Sequence, residues 1–308
     1  MWVVAFIGMA TSFVESLLAQ LYKTKDDNGN YRGGPAYYME KGLGMRWMGV
    51  LFSIFLIIAF GLVFNAVQAN SIPQASAVAF HLQPLHVGIG LVLLSGVVIF
   101  GGIRSIAKVA ELVVPLMAGA YLLLALWVIG HNIEHMPAIL TLIFKSAFGL
   151  QEAAAGAVGY GISQAITQRA LSTAVGSWGT PFVAIAIFFF AFTSIIANYA
   201  YAESNLVFLE HNHPGGLLIF RCVALGMVMF GALAELPLVW KMADTSMALM
   251  AITNLTAILL LSRVALKLAD DYHRQRRLGK LPTFDANRYP ELKSQLEPGV
   301  WDDKQPPR

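Results

Sequence analysis

The chain has 308 residues, of which 57% are hydrophobic and 13% charged, and it carries a formal net charge of +3. Ordinary globular chains are about 45–50% apolar and about 25% charged, so this composition cannot cover a soluble surface and points to a polytopic membrane protein. The small positive balance sits mostly in loops and tail and is no nucleic-acid footprint. The single cysteine, Cys222, excludes an intrachain disulfide framework and a cysteine-rich metal site.

The first apolar run, roughly Met1 to Tyr22, lacks a basic leading region and holds Glu15 in its interior. It reads as a span rather than a cleaved signal. An acid inside a span marks a functional site, or it pairs with a cation or sits near the headgroups. Both readings stay open. The connection that follows carries Lys23, Lys25, Arg32, Lys41 and Arg46 and is expected in the cytoplasm. Within it, Asp27-Asn28-Gly29-Asn30 is a turn signal, and Gly33-Gly34-Pro35 opens a short amphipathic piece, Ala36 to Met39.

The second span, about Met48 to Ser71, contains the stretch Phe52 to Asn70, which is apolar at first and then ends in amides: Asn65, Gln68 and Asn70. Gln68 and Asn65 are one helical turn apart and share a face. That face is glue between helices or part of a polar site. The connection with Pro73, His81, Pro84 and His86 has no Lys or Arg and is expected outside.

Span three is about Leu85 to Gly101; Arg104 and Lys108 follow it inside. Span four is about Val109 to Gly130, with Pro115 tolerable in a membrane helix. His131 to Ala147 forms an outer connection. Span five, Phe148 to Thr167, is rich in Gly and Ala and holds Gln151, Glu152, Ser163 and Gln164, so it is expected among other helices. Span six, about Phe182 to Tyr201, ends in Thr193, Ser194 and Asn198; span seven is about Leu217 to Leu233 with Arg221; span eight, about Asp244 to Leu261, holds Asn254 and Thr256. The fold class is therefore all-α, a helical membrane protein with about 8 crossings. Residues 1–262 form the transmembrane domain. Residues 263–308 form a cytoplasmic polar tail, basic around Arg274, Arg276, Arg277 and Lys280 and expected to be partly disordered.

Charge bias exposes a conflict. A cytoplasmic first loop puts Met1 outside, and eight alternating crossings then leave the basic tail outside as well. Either span five does not cross, or a crossing is missing between Thr167 and Pro181, where Gln168-Arg169 leads straight into Ser177-Trp178-Gly179.

The run His131-Asn132-Ile133-Glu134-His135 matches H-x-x-E-H, which on a helix sets two histidines for zinc beside a glutamate base. Pro137 cuts any such helix short, and an exposed loop is the plainer reading. There is no P-loop, dinucleotide fingerprint or G-x-S-x-G elbow in the sequence. Passage is thus expected rather than catalysis. Gln68, Thr193, Ser194, Asn198 and Asn254 supply oxygens of the kind that suit a hard cation. Ser194 and Asn198 share a face. The alternative is that the hydroxyls bond their own helix backbone.

Five stretches carry a resemblance: FIGMATSFVESLLAQLY, DDNGNYRGGPAYYMEKGLG, VQANS, AELPLVWKMADT and MAITNLTAILLLS. With them the chain closely resembles the alanine or glycine:cation symporter family, the bacterial sodium:alanine symporters, over essentially its whole length. The resemblance implies a LeuT-type inverted-repeat carrier in the bacterial cytoplasmic (inner) membrane. It implies sodium-coupled uptake of L-alanine or glycine, with Na+ as coupling ion and no organic cofactor. Carried over residue by residue, it implies Gln68, Ser194 and Asn198 as substrate-binding positions and Thr193 and Ser194 as cation-binding positions. Gln68 lies in the V-Q-x-N-S match, whereas Asn198 stands where some members have an aromatic.

Two departures bear on function. Family members carry helices before the position of Met1, including a G-[ST]-G-N segment, and an F-S-N-E-A-G segment with a further span after the position of Thr167. Neither occurs here, so the chain resembles a partial LeuT-type fold without the unwound parts that hold carboxylate and ions in such carriers. Weak or absent transport is expected. The alternatives are a non-transporting membrane remnant or interaction protein and, further off, a zinc membrane hydrolase at His131 and His135.

Overall fold

The computed structural model describes residues 2–25, 29, 31–131, 133–135, 137, 141, 178–210 and 214–301. Span five and its Gln151, Glu152, Ser163 and Gln164 lie outside these residues. The described chain is helical apart from a two-stranded antiparallel hairpin, β1 (Thr24–Lys25) and β2 (Tyr31–Arg32), which pairs Thr24 with Arg32. Its helices are α1 (Trp2–Leu21), α2 (Pro35–Lys41), α3 (Arg46–Leu56), α4 (Asn65–Phe80), α5 (Pro84–Phe100), α6 (Gly102–His131), α7 (Gly179–Glu210), α8 (Pro214–Leu233), α9 (Leu236–Arg277) and the short α10 (Pro290–Lys293). A π-helical stretch, Ile57–Phe64, joins α3 to α4.

Five helices among the described residues are long and apolar enough to cross a bilayer, the run Arg46–Phe80 being one of them; α1 and α5 are shorter apolar helices. These seven match the expected spans other than the fifth. Four of them run well past the expected boundaries: α6 begins at Gly102, so it includes Arg104 and Lys108, and α7 continues past Tyr201 to Glu210. The second span continues past Ser71 to Phe80 with Pro73 buried inside it, and it ends only where His81 turns left-handed at φ 55°. The eighth runs on to Arg277, so the expected boundary at residue 262 falls inside α9.

The chain forms two compact units. The first comprises Met1–Gly61, Tyr201–Phe220 and Lys241–Arg308. Its core holds Leu18, Tyr22, Tyr38, Met39 and Phe52, each at most 2% exposed. Gly34 takes φ 124°, a conformation side chains resist, and so lets the hairpin turn directly into Pro35 at the start of α2. Tyr37 of α2 meets Phe208 edge-on at 5.1 Å, and Ser53 donates to Asn205 Oδ1 at 3.0 Å, both groups being buried.

The tail is part of this unit. Gln275 donates to Thr283 O at 3.0 Å and accepts from Thr283 N at 2.9 Å, which folds the chain back along α9. Trp301 Nε1 then donates to Leu21 O at 3.0 Å, Tyr22 Oη donates to Gln295 Oε1 at 2.9 Å, and Lys41 pairs with Glu297. These aromatic and amide anchors hold the tail as far as Trp301, and residues 302–308 lie outside those described.

The second unit comprises Leu62–Ala200 and Arg221–Trp240. Tyr121 of α6 meets Phe190 of α7 edge-on at 5.9 Å. Arg221 of α8 donates to Tyr199 Oη at 3.2 Å and lies over the Phe100 ring at 5.6 Å. The guanidinium inside an apolar helix is thus held by a phenol and a ring face. Leu112, Leu116, Leu123 and Leu126 of α6 are exposed, as side chains that meet acyl tails would be.

Candidate functional site

The amides of α4 divide into two kinds. Asn70 is buried, and its Nδ2 donates to Gly231 O at 2.8 Å and Ala234 O at 2.7 Å. Gly231 lies in the last turn of α8 and Ala234 just past its end, where helical partners run out. Gln74 Nε2 closes the set by donating to Asn70 Oδ1. This cap requires close helices, and Gly231 provides the approach: a Cβ there would lie 2.2 Å from Ala66 O. Asn70 is therefore interhelical glue, the role the sequence left open for the amide-bearing end of the second span. The sequence signal was its position two residues after Gln68, which turns it toward another neighbour.

Gln68 is different. It is half-buried and has no side-chain hydrogen bond among the described residues.

On α7, Thr193 Oγ1 donates to Phe189 O at 2.8 Å and Phe190 O at 3.1 Å, and Ser194 Oγ donates to Phe190 O at 2.8 Å. Both hydroxyl protons are spent on their own helix, as Thr and Ser in spans commonly do. Each oxygen keeps lone pairs, and a hydroxyl oxygen is a ligand type that suits a hard cation. Asn198, one turn beyond Ser194, is 7% exposed and makes no side-chain hydrogen bond among the described residues. Gln68, Thr193, Ser194 and Asn198 all lie in the second unit; among the described residues, no hydrogen bond joins Gln68 to the α7 group.

The zinc reading has poor geometry. His131 ends α6 and stacks on Trp127 at 5.5 Å, while Ile133–His135 form a separate 3₁₀ turn. The two histidines thus do not share one α-helical face, and no group of three metal-ligating side chains occurs among the described residues. A cavity of about 460 Å³ opens in the first unit between Leu17, Leu21, Leu268, Tyr272, Phe284 and Trp301. It contains none of the residues singled out as candidate ligands.

Sequence reasoning overlooked one further polar group in the first unit. Tyr38 Oη of α2 donates to Asn254 Oδ1 of α9, and Asn254 Nδ2 donates to Glu15 Oε1 of α1 at 3.3 Å. Glu15 and Asn254 each stood out alone as polar residues in apolar runs. Nothing local in either run pairs them, since they are 239 positions apart.

Comparison with known proteins follows the same lines. The sequence model of the sodium:alanine symporter family matches residues 1–167 and 160–286, two pieces that overlap at residues 160–167, just before the Thr167–Pro181 stretch flagged by the charge pattern. An uncharacterized transporter of Escherichia coli (strain K12), YaaJ, is 42% identical over 378 residues, covering 98% of this chain and 79% of that protein. The amino-acid carrier protein AlsT of Bacillus subtilis (strain 168) is 37% identical, covering 99% of this chain and 78% of that protein. A sodium/proton-dependent alanine carrier protein of Bacillus sp. (strain PS3) is 30% identical, covering 94% and 83%. The 378-residue match to the E. coli protein exceeds the 308 residues of this chain by 70, so at least that many positions inside the matched stretch have no counterpart here.

Proposed function

The chain belongs to the sodium:alanine symporter family, and from that premise we propose that it derives from a sodium-coupled carrier of L-alanine, or glycine, in the bacterial cytoplasmic membrane. Family membership makes it a transport protein rather than an enzyme. The observation that carries the substrate reading is Gln68. It is an amide of the second span without a side-chain hydrogen bond among the described residues, whereas Asn70 bonds Gly231 O, Ala234 O and Gln74. In this reading Gln68, Ser194 and Asn198 contact the amino acid. Thr193 and Ser194 offer oxygens to the sodium ion.

The same premise carries a quantitative expectation. At least 70 internal positions of a full-length relative are absent here, and the family match breaks at residues 160–167. A gap of that size accommodates one crossing helix of about 20 residues with its connections. One missing crossing also returns the basic tail to the cytoplasm, in agreement with the charge bias. Helix ends and freed carbonyls in unwound spans hold carboxylate and ions in carriers of this kind. The chain is accordingly a weak carrier, and a non-transporting remnant that interacts with other membrane proteins is the second reading.

The test is uptake of labelled L-alanine into proteoliposomes with and without an inward sodium gradient, after insertion has been verified. Sodium-dependent uptake that disappears in Gln68→Ala supports the carrier. Uptake at the level of empty liposomes from correctly inserted protein supports the remnant. Uptake unaffected by Gln68→Ala removes Gln68 from the site.

A further inference from the structure

The linkage Tyr38–Asn254–Glu15 is the polar feature of the first unit that amino-acid carriage does not use. Three helices contribute one side chain each: α2, α9 and α1. Tyr38 is fully buried. Glu15 is half-buried on a helix whose neighbouring residues Phe6, Ile7, Met9 and Phe13 are exposed and apolar. Among the described residues no cation pairs with Glu15; the groups acting on it are its own burial and Asn254. The titratable side chain facing it from α2 is Tyr38, while α9 presents the uncharged Asn254. A carboxyl group kept in an apolar helix without a counter-cation is expensive and marks a pathway for ions or protons.

The direction of the hydrogen bonds adds the second observation. Tyr38 donates to Asn254, and Asn254 donates to Glu15. Every donor in the chain points at Glu15, which is the pattern suited to an acceptor-only carboxylate. A protonated carboxyl keeps one acceptor oxygen for Asn254 but adds an O–H that finds no acceptor in that pattern. The amide can satisfy it by reversing, so that Asn254 Oδ1 accepts the new O–H and Nδ2 donates to Tyr38 Oη. Tyr38 then changes from donor to acceptor inside a fully buried pocket, where an unmatched hydroxyl is costly.

We infer that Glu15 is a proton-binding site whose occupancy is transmitted through Asn254 to the Tyr38 hydroxyl. The proton comes from solvent and resides on a Glu15 carboxyl oxygen; no bond other than O–H forms. The site is independent of the residues assigned to amino acid and sodium. It stands or falls without any measurement of uptake.

The experiment is infrared difference spectroscopy of the full chain in phospholipid nanodiscs, with carboxyl-labelled glutamate, titrated with acid at constant sodium. The expected result is a protonated-acid carbonyl band that grows as pH falls and is lost in Glu15→Gln, an isosteric change that keeps an acceptor for Asn254. Tyr38→Phe leaves Glu15 in place; its band is expected to persist at a shifted frequency. Identical spectra for wild type and Glu15→Gln would overturn the site. A band that Tyr38→Phe leaves unmoved would overturn the transmission. A wild-type band displaced by raising sodium at fixed pH would show a metal cation as the occupant and would also overturn the proposal.

Discussion

Replacing Gly231 with alanine tests whether α4 and α8 are held at backbone contact. The added Cβ would lie 2.2 Å from Ala66 O and 2.4 Å from Ala66 Cα, where ordinary contact begins at 3.4 Å. The helices must part by about 1 Å, because the obstacle is backbone rather than a mobile side-chain end. Overpacking of this kind costs about 1–3 kcal/mol. The same displacement stretches the bonds from Asn70 to Gly231 O and Ala234 O, now 2.8 and 2.7 Å, beyond useful length. Two lost bonds add about 1 kcal/mol each, for a total of about 3–5 kcal/mol. The assay is the unfolding equilibrium of the purified protein in mixed micelles as denaturing detergent is increased. Gly226→Ala is the control on the same helix, since its Cβ meets nothing within 4 Å and the change lowers backbone entropy only. Equal midpoints for the two variants would refute the argument for a tight α4–α8 crossing.

Other consequences are smaller or more local. Ser53→Ala leaves Asn205 Oδ1 buried without its donor and is expected to cost about 1–3 kcal/mol in the same unfolding assay. Lys41→Ala removes a partly exposed ion pair with Glu297 and should cost no more than about 1 kcal/mol, an amount that shrinks further in high salt. The Tyr289 phenol is held above the ordinary value of 10.0 by burial first and then by the Asp271 carboxylate. A raised folded-state value means that the stability Tyr289 contributes is complete below pH 10 and is lost as pH rises through the folded value. Alkaline titration followed by Trp301 fluorescence should show tail release in that window, and Tyr289→Phe should abolish the slope. Release at the same pH in both proteins would exclude Tyr289 as its source.

The spans were legible because lipid demands long apolar runs with internally satisfied backbone, and Phe52–Phe64 or Leu112–Leu126 meet that demand without help from neighbours. Helix ends were less legible. Pro73 signals a stop in water, yet buried in α4 it is accommodated and the helix continues to Phe80. The role of Asn70 was unreadable for a different reason. An amide in a span declares only that it requires a partner, and its partners are carbonyls 161 and 164 positions away. Gln68 was singled out by its motif, and no side-chain bond among the described residues engages it. Thr193 and Ser194 were read as having either of two uses; their protons went to Phe189 and Phe190, leaving only lone pairs for a cation. The tail's attachment was not legible in its polar composition, because it depends on a few side chains, Tyr22, Gln275 and Trp301 among them.

The bond from Trp301 to Leu21 joins residues 280 positions apart, and Lys41 and Glu297 are 256 apart. Synthesis delivers α1 and α2 first and Trp301 only after every helix between them has been made. Throughout that interval the carbonyl at the end of α1 has no tryptophan to receive, and the hairpin beside it lacks its cover. The contact is therefore among the last that the growing chain can make, and it fastens the two ends of the sequence together. A nascent chain halted short of Trp301 would present the Leu21 end of α1 to water and to any chaperone waiting there.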